Sequence, residues 1–289
     1  MNGLAPHDPD ARPAAPAPAP APAASKASRA SLTARRLRVF DTETTGLDTE
    51  VDRVVQFGTA TFQNGALLRL QDTLVNPCRP IPAEASDVHQ IYDSDVEDAQ
   101  TFGLLGDSVA QALGLQADDT ILCGYNALHY DVPLLNAEFQ RHCYEFRIDP
   151  ARVLDPLVWL QYYHRDWPSR RLTAVAARFN VPLADAHRAS ADAEATGHVL
   201  HRLVEQGVIP DDVEEALAAQ AQIAKVLEQE TAVYNRFLYV DRDYSSLLRV
   251  GIGKHIGKLL RDVPTSYLRW MLRLPDLPHL AASEITVYA

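Results

Sequence analysis

The dipeptide Asn64-Gly65 constrains the fold of this 289-residue chain more than any other short feature. It separates two runs rich in β-branched and aromatic residues, at 53–62 and 66–75. Asn and Gly adopt the left-handed conformation that a two-residue turn needs, so this pattern predicts a β-hairpin. A third such run, at 37–40, leads into Asp41. The first three strands are therefore expected to form an antiparallel meander.

Downstream of the meander, helix and strand patterns alternate. Apolar residues recur at helical spacing in five stretches, at 99–113, 132–141, 157–163, 172–179 and 188–203. Short apolar runs at 120–123 and 152–154 predict two further strands. Together these patterns predict an α/β fold with a mixed five-stranded sheet flanked by helices.

Composition divides the chain into four segments. Ala, Pro and Ser dominate residues 1–34, which are predicted to be a disordered tail because they cannot bury enough apolar surface to offset the entropy of ordering. Residues 35–206 carry the α/β pattern. An Ala-, Glu- and Gln-rich stretch then predicts an exposed linker helix within residues 207–232. Residues 233–289 are expected to form a small C-terminal module.

Composition also narrows the class of protein. The hydrophobic fraction of 47% and the charged fraction of 22% are typical of a soluble globular protein. No apolar run reaches the roughly 20 residues that cross a bilayer, so no membrane association is expected. The three cysteines, Cys78, Cys123 and Cys143, are too few and too far apart for a disulfide framework or a zinc site. We therefore expect a cytoplasmic protein.

The net charge of −11 argues against broad coating of a duplex, which needs clustered Lys and Arg. It does not argue against phosphate chemistry, because bound cations invert the local charge of a carboxylate cluster. Asp41 and Glu43 stand two residues apart at the end of the first predicted strand, so both side chains project from one face of the sheet and can share an ion. Taken alone, such a pair is more often a polar turn that ends a strand.

Three other residues also have an ordinary structural interpretation when each is taken singly. Asp131 precedes Val132-Pro133 and would suit a helix cap. Asp192 lies near the start of an Ala-rich helix, where an acidic residue suits the helix dipole. A lone His187 would most often be a surface histidine. The order of all five residues along the chain favours a hydrolytic site instead, because four carboxylates and one imidazole form a complete set for hydrolysis.

The donor types indicate which cofactor such a site would take. Carboxylate oxygens select Mg²⁺ or Mn²⁺ over zinc. Two such ions stabilise both the attacking and the leaving oxygen of a displacement at phosphorus. His187 would remove the proton from the attacking water.

With these residues, the sequence resembles the DEDDh exonuclease family over residues 36–205. The resemblance rests on four segments: Asp41-Thr42-Glu43-Thr44-Thr45-Gly46-Leu47, Val88-His89-Gln90-Ile91, Gly124-Tyr125-Asn126 with Asp131, and Ala186-His187-Arg188-Ala189 with Asp192-Ala193. It implies an RNase H-like fold, two magnesium or manganese ions, and hydrolysis from a 3′ hydroxyl end that releases nucleoside 5′-monophosphates.

The resemblance also implies a role for individual residues. The metal carboxylates would be Asp41, Glu43, Asp131 and Asp192, and the general base would be His187. Thr44 and His89 would lie near the terminal nucleotide. The spacing from Asn126 to Asp131 is one residue longer than the commonest form in the family, and exonuclease I-like members share this longer spacing.

The C-terminal segment is similar to the small C-terminal domain of exodeoxyribonuclease X-like proteins. The similarity rests on Gly251-Ile252-Gly253-Lys254-His255-Ile256-Gly257-Lys258 and on the following Asp262-Val263-Pro264 and Tyr267-Leu268-Arg269-Trp270. Lys254 and Lys258 are predicted to contact phosphates. Tyr267 and Trp270, three residues apart on a predicted helix, would stack on bases or pack in the core of the module, and helical spacing favours the core.

These features support a 3′-5′ exonuclease that acts on DNA in repair, recombination or proofreading. The expected partner is a DNA 3′ end, in single-stranded form, and a polymerase or repair complex is a candidate protein partner. An RNA 3′ exonuclease is the alternative within enzymes, because the same catalytic set serves both sugars. A non-catalytic nucleic-acid-binding protein on the same scaffold is the alternative outside enzymes.

Overall fold

A computed structural model of the chain describes residues 31–116, 120–183, 186–240 and 247–289. Seven strands are present in these residues: β1 Leu37–Thr44, β2 Val54–Gln63, β3 Ala66–Leu74, β4 Ile121–Cys123, β5 Val153–Leu154, β6 Leu238–Val240 and β7 Leu248–Val250. The helices of the same residues are α1 Ala83–His89, α2 Asp93–Val96, α3 Phe102–Leu113, α4 Asp131–Arg141, α5 Pro156–Tyr163, α6 Leu172–Arg178, α7 Ala189–Glu205, α8 Val213–Phe237, α9 Thr265–Met271 and α10 His279–Thr286.

The first five strands form one mixed sheet in the order β3-β2-β1-β4-β5. Strands β1, β2 and β3 pair antiparallel, whereas β1, β4 and β5 pair parallel. The β2–β3 hairpin closes with Gln63 opposite Ala66, and the two turn residues, Asn64 and Gly65, have φ values of 52° and 74°. The predicted mixed sheet and its hairpin are therefore confirmed.

Helices cover both faces of this sheet. Alternate side chains of β1 enter two different cores, since successive residues of a strand point to opposite faces. Leu37 and Val39 pack with residues of α5, α6 and α7 on one face. Phe40 packs with residues of α3 and α4 on the other. The same alternation continues along β1, so Asp41 and Glu43 lie on the same face as Leu37 and Val39, which is the face that α7 covers.

Gly58 of β2 allows the start of α7 to lie directly on the sheet. A Cβ at this position would stand 2.2 Å from the backbone of Ala189 and Ser190. The side chain of Gln56, buried on the same strand, accepts a hydrogen bond of 3.0 Å from the backbone N–H of Ala189. These two contacts fix the first turn of α7, which carries Asp192, against the middle of the sheet.

Two predicted segment boundaries differ from the structure. Residues 1–30 of the predicted tail lie outside the described residues, but residues 31–34 belong to the fold. Leu32 is fully buried in the core, and its backbone N–H donates to the carbonyl of Asp211 over 2.8 Å. The composition of residues 1–34 is dominated by Ala, Pro and Ser, so it did not indicate that Leu32 would be buried.

The predicted linker helix is also more closely attached than expected. In α8, Ala216, Gln220 and Ile223 are buried against the α/β core. The side-chain amide of Gln220 donates to the carbonyl of Val153 over 2.8 Å and accepts from the N–H of Asp155 over 2.7 Å. It thereby pairs with the outer edge of β5 as a neighbouring strand would. The composition of this Ala-rich helix predicted exposure. Its buried residues contact parts of the chain that are distant in sequence, so composition could not indicate them.

The last part of the chain has a small core of its own. The end of α8 contributes Phe237, and the β6–β7 pair and helices α9 and α10 contribute apolar residues that include Val250, Leu268 and Ile285. The sequence patterns did not predict helices α1 and α2, because these helices are only seven and four residues long. In the described residues no helix combines the length and apolar character needed to cross a bilayer.

Candidate active site

Asp41 and Glu43 start the site at the carboxyl end of β1. Both are partly buried, and each alternates with a buried neighbour, Thr42 or Thr44. Strand β1 is central in the sheet, so its end is surrounded by segments that follow β4 and by the start of α7. The predicted pair therefore lies where elements from three parts of the chain meet.

Asp131 approaches from the segment after β4. It is the first residue of α4 and is 3% exposed, and its Oδ1 accepts a hydrogen bond of 2.6 Å from the Thr42 hydroxyl. The N-cap position of α4 belongs to Tyr130 and has no side-chain cap. Helix capping therefore does not explain Asp131. Its carboxylate faces the end of β1.

Asp192 approaches from the first turn of α7, where it is 9% exposed. Its Oδ2 accepts a hydrogen bond of 3.0 Å from the backbone N–H of His187. This contact holds His187 in a left-handed conformation with φ of 69°. One ligand atom from each of Glu43, His187 and Asp192 lies within 4.8 Å of the other two. The structure thus brings these three predicted residues together.

Electrostatics show that the remaining carboxylates belong to the same cluster. Burial, and then the charges of Asp131, Glu43 and Asp192, raise the pKa of Asp41 well above its usual value. Burial and the charges of Asp192 and Asp131 raise the pKa of Glu43 from 4.5 to about 8. Burial also raises the pKa of Asp131 to about 7, although its hydrogen bond from Thr42 opposes the rise. Four carboxylates that repel one another in this way need a positive charge among them to ionise together at neutral pH.

The donor set fits divalent cations. One buried oxygen of Asp192, Oδ1, has no hydrogen-bond partner in the described residues, and an unpaired buried carboxylate oxygen is costly unless an ion binds it. The other members of the cluster offer carboxylate oxygens and one imidazole nitrogen. Hard oxygen ligands of this kind suit magnesium or manganese.

Thr44 and His89 support the backbone beside this cluster. Both are buried, with exposed fractions of 8% and 6%. The His89 Nδ1 accepts from the N–H of Ile91 over 3.1 Å, so Nε2 carries the proton and donates to the carbonyl of Thr44 over 3.2 Å. Both ring nitrogens of His89 are therefore engaged by the protein. That Thr44 and His89 lie near the terminal nucleotide stays a prediction.

Asp155 and Tyr130 organise the site but were missed in the sequence. Asp155 is 1% exposed, and its carboxylate accepts from the backbone N–H groups of Asn126 and Leu128 over 2.9 and 3.3 Å. The hydroxyl of Tyr130 contacts the Thr44 hydroxyl and the carbonyl of Gly46. The pair Asp155-Pro156 does signal a helix start, but its contact with the loop that leads to Asp131 is visible only in the fold.

Lys254 and Lys258 lie in the C-terminal module, in and just after the short 3₁₀ turn Gly253–His255. In the described residues, neither lysine forms a hydrogen bond or ion pair with the carboxylate cluster. The two predicted helical neighbours, Tyr267 and Trp270, differ in how far they are buried. Tyr267 is 9% exposed and belongs to the module core, as helical spacing predicted, whereas Trp270 is 45% exposed.

Clustered carboxylates and an imidazole at the end of the central strand of a mixed sheet are groups that a metal-dependent hydrolase of phosphate esters uses. The family model described as RNase_T exonuclease matches residues 39–200, and the chain belongs to this exonuclease family. The resemblance to the DEDDh 3′-5′ exonucleases is confirmed by this match.

Curated relatives and solved structures agree with the family. A DNA polymerase III PolC-type protein of Streptococcus pneumoniae serotype 2 is 27% identical over 238 residues, which are 82% of this chain and 15% of that protein. The chain thus spans only a small part of such relatives.

Two solved structures share the fold. The E. coli ExoI-ssDNA complex in its zinc-bound form matches with a TM-score of 0.53 and 15% identity, over 83% of this chain and 59% of that chain. A 3′-exonuclease that recognises the 3′ end of a histone mRNA stem-loop matches with a TM-score of 0.52 and 14% identity, over 66% of this chain and 68% of that chain. At these identities the likeness establishes the fold alone.

Proposed function

We propose that the protein is a metal-dependent exonuclease that hydrolyses DNA from the 3′ end and releases nucleoside 5′-monophosphates. The observation that carries this proposal is the convergence of Asp41, Glu43, Asp131 and Asp192 with the ring of His187 at one end of the sheet. Family membership supplies the reaction class, and the cluster supplies the groups that such a reaction needs.

The four carboxylates would hold two magnesium or manganese ions. When bound, such ions stabilise the charge on the attacking and leaving oxygens at phosphorus. The protein's own part is to fix the ligands. Thr42 holds Asp131, and Asp155 holds the loop that precedes Asp131. The first turn of α7 holds Asp192 against the sheet through Gln56.

His187 is the residue that would move a proton. Its ring lies next to Glu43 and Asp192, and it is exposed, so water can reach it. An imidazole nitrogen can accept the proton of an attacking water. Because the backbone N–H of His187 is tied to Asp192, the two residues are positioned together.

DNA is the proposed polymer because the PolC-type relatives are DNA polymerases and the exonuclease I neighbour is a complex with single-stranded DNA. The same relatives support repair, recombination or proofreading as the role, with a polymerase or repair complex as partner. RNA is the second candidate, because a fold neighbour is a 3′-exonuclease that recognises a histone mRNA stem-loop. The 2′-hydroxyl is the group that would separate the two polymers.

End-labelled strands test the proposal directly. The purified protein is incubated with 5′-labelled DNA, and the labelled strand should shorten one nucleotide at a time in the presence of Mg²⁺. Matched RNA of the same sequence identifies the preferred sugar. Absence of hydrolysis with Mg²⁺ and with Mn²⁺ would contradict the enzymatic proposal and leave the non-catalytic binding protein.

Two variants on α7 make the test specific for the cluster. Asp192→Asn should abolish hydrolysis, because it removes a carboxylate at the centre of the cluster. Glu194→Gln, two residues further along the same helix and more exposed, should retain wild-type activity. If Asp192→Asn is as active as Glu194→Gln and the wild type, Asp192 has no role in metal binding.

A further inference from the structure

The C-terminal module exposes an aromatic side chain where packing would normally bury it. Of the three tryptophans, Trp159 is 1% exposed and belongs to the main core, and Trp167 is partly covered and stacks on His164. Trp270 is 45% exposed. Trp270 therefore presents a large aromatic face to solvent on a helix that otherwise buries Tyr267 and Leu268.

Trp270 is the outer member of a row of aromatic rings. The ring of Tyr267 contacts the ring of His255 with centroids 4.5 Å apart, and it contacts the ring of Trp270 with centroids 4.9 Å apart. The Tyr267 hydroxyl donates to the carbonyl of Ile252 over 3.1 Å, so the middle ring of the row is held in place. A flat apolar ligand would extend this row by stacking on the indole.

A lysine lines the same cavity as the exposed indole. The Lys254 ammonium stands 5.7 Å from the centre of the Tyr267 ring. Lys254, Ser266, Tyr267 and Trp270 line one shallow cavity of about 320 Å³. Residues 247–289 carry six Lys and Arg against three Asp and Glu, although the whole chain has a net charge of −11. In the described residues, Lys254 and Lys258 form no ion pair.

We infer that Trp270 and Lys254 form a stacking subsite for a nucleobase of single-stranded DNA, with Lys254 and Lys258 on its phosphates. An aromatic face beside a lysine matches a base with its neighbouring phosphate, because the base supplies a flat ring and the phosphate a negative charge. A cationic ligand would be repelled by the lysines. A paired base would not offer a free face. The inference rests on the proposed function, and it adds that the module engages unpaired substrate.

Binding without hydrolysis provides the test. Fluorescence anisotropy of a labelled oligothymidylate is measured with the full chain in chelator, so that no hydrolysis occurs. Trp270→Leu should weaken binding by about 5-fold to 100-fold, the usual effect of losing one stacked base. Trp270→Phe should restore most of the affinity because it restores an aromatic face. Tyr288→Ala is the matched control, because Tyr288 is 46% exposed in the same module and does not line the cavity.

A second probe separates stacking from charge. An oligonucleotide with abasic positions keeps its phosphates and loses its bases, so Trp270→Leu should not change its affinity. Lys254→Ala should instead weaken both oligonucleotides and flatten the salt dependence of binding, by about 0.7 in the logarithmic slope for one phosphate contact. Thermal unfolding of each variant checks that the module remains folded.

Two results would overturn the inference. The first is that Trp270→Leu binds oligothymidylate with the affinity of the wild type. The second is that Trp270→Leu loses as much affinity for the abasic strand as for oligothymidylate. The proposed function fails by a different measurement. Hydrolysis of the p-nitrophenyl ester of thymidine 5′-monophosphate needs only the carboxylate cluster, so Trp270→Leu should leave it unchanged. If the wild type hydrolyses neither that ester nor end-labelled DNA, the proposed function fails whatever Trp270 does.

Discussion

The crowding of carboxylates predicts that the metal-free protein loses stability as the pH rises. Glu43 is the clearest case, because its pKa rises from 4.5 to about 8, first through burial and then through Asp192 and Asp131. The folded metal-free protein therefore holds a proton that the unfolded chain releases. This contribution to stability is fully present below pH 4.5 and is lost progressively until the pH exceeds about 8.

The expected size follows from that rise in pKa. Each tenfold change in a proton equilibrium is worth about 1.4 kcal/mol. For Glu43 the difference between the two states corresponds to at most about 5 kcal/mol, and relaxation and water entry reduce it to roughly 2 to 4 kcal/mol. A loss of this size is a large part of the 5 to 15 kcal/mol that stabilises a typical domain.

Urea unfolding followed by far-ultraviolet circular dichroism measures this loss. In chelator, the wild type should be less stable at pH 8 than at pH 5, and Glu43→Gln should reduce the difference because the amide cannot ionise. Saturating Mg²⁺ at pH 8 should raise the unfolding midpoint of the wild type, because the ions bind only the folded cluster. Glu194→Gln, on the more exposed part of α7, should behave as the wild type does. Identical pH dependence in the wild type and Glu43→Gln would refute the reasoning, as would a midpoint that Mg²⁺ does not change.

Three further predictions concern single residues. Gln220→Leu should destabilise the protein by about 3 kcal/mol or more, because it leaves the carbonyl of Val153 and the N–H of Asp155 without their partner. Gln222→Leu, at an exposed position of the same helix, should change the urea midpoint little. Gly58→Ala should lower both the melting temperature and the nuclease rate, since its Cβ would displace the start of α7; a normal rate would show that this contact does not position Asp192. His187→Ala should slow hydrolysis by about 100-fold and remove the rising limb of the pH–rate profile. His198→Ala, on α7, should leave the rate and the shape of the profile unchanged.

The sheet shows how far local sequence can determine a fold. Asn64-Gly65 fixed the β2–β3 hairpin because a two-residue turn sets the register of the strands beside it. Period-two and helical patterns located the other strands of the sheet and most of its helices. These signals are local, so a single sequence contains them. The short helices α1 and α2 were missed because one or two turns carry too little periodicity.

The site was predictable as a list of residues but not as an arrangement. Residue types and their order selected five candidates, which are Asp41, Glu43, Asp131, His187 and Asp192. Their order could not show that the Thr42 hydroxyl holds Asp131, or that Asp155 holds the loop before it. Such contacts join residues that are distant in sequence, so no local pattern encodes them.

Amphipathic residues were the hardest to interpret from sequence. Tyr267 and Trp270 share a helical spacing, but the fold buries one and exposes the other. Gln220 stands among exposed residues of an Ala-rich helix, and the fold uses its amide to complete a sheet edge. The sequence by itself determined the strand order near the hairpin and the chemistry available for catalysis. Only the tertiary structure decided which side chains meet and which face solvent, because burial depends on the packing of elements that lie far apart in the chain.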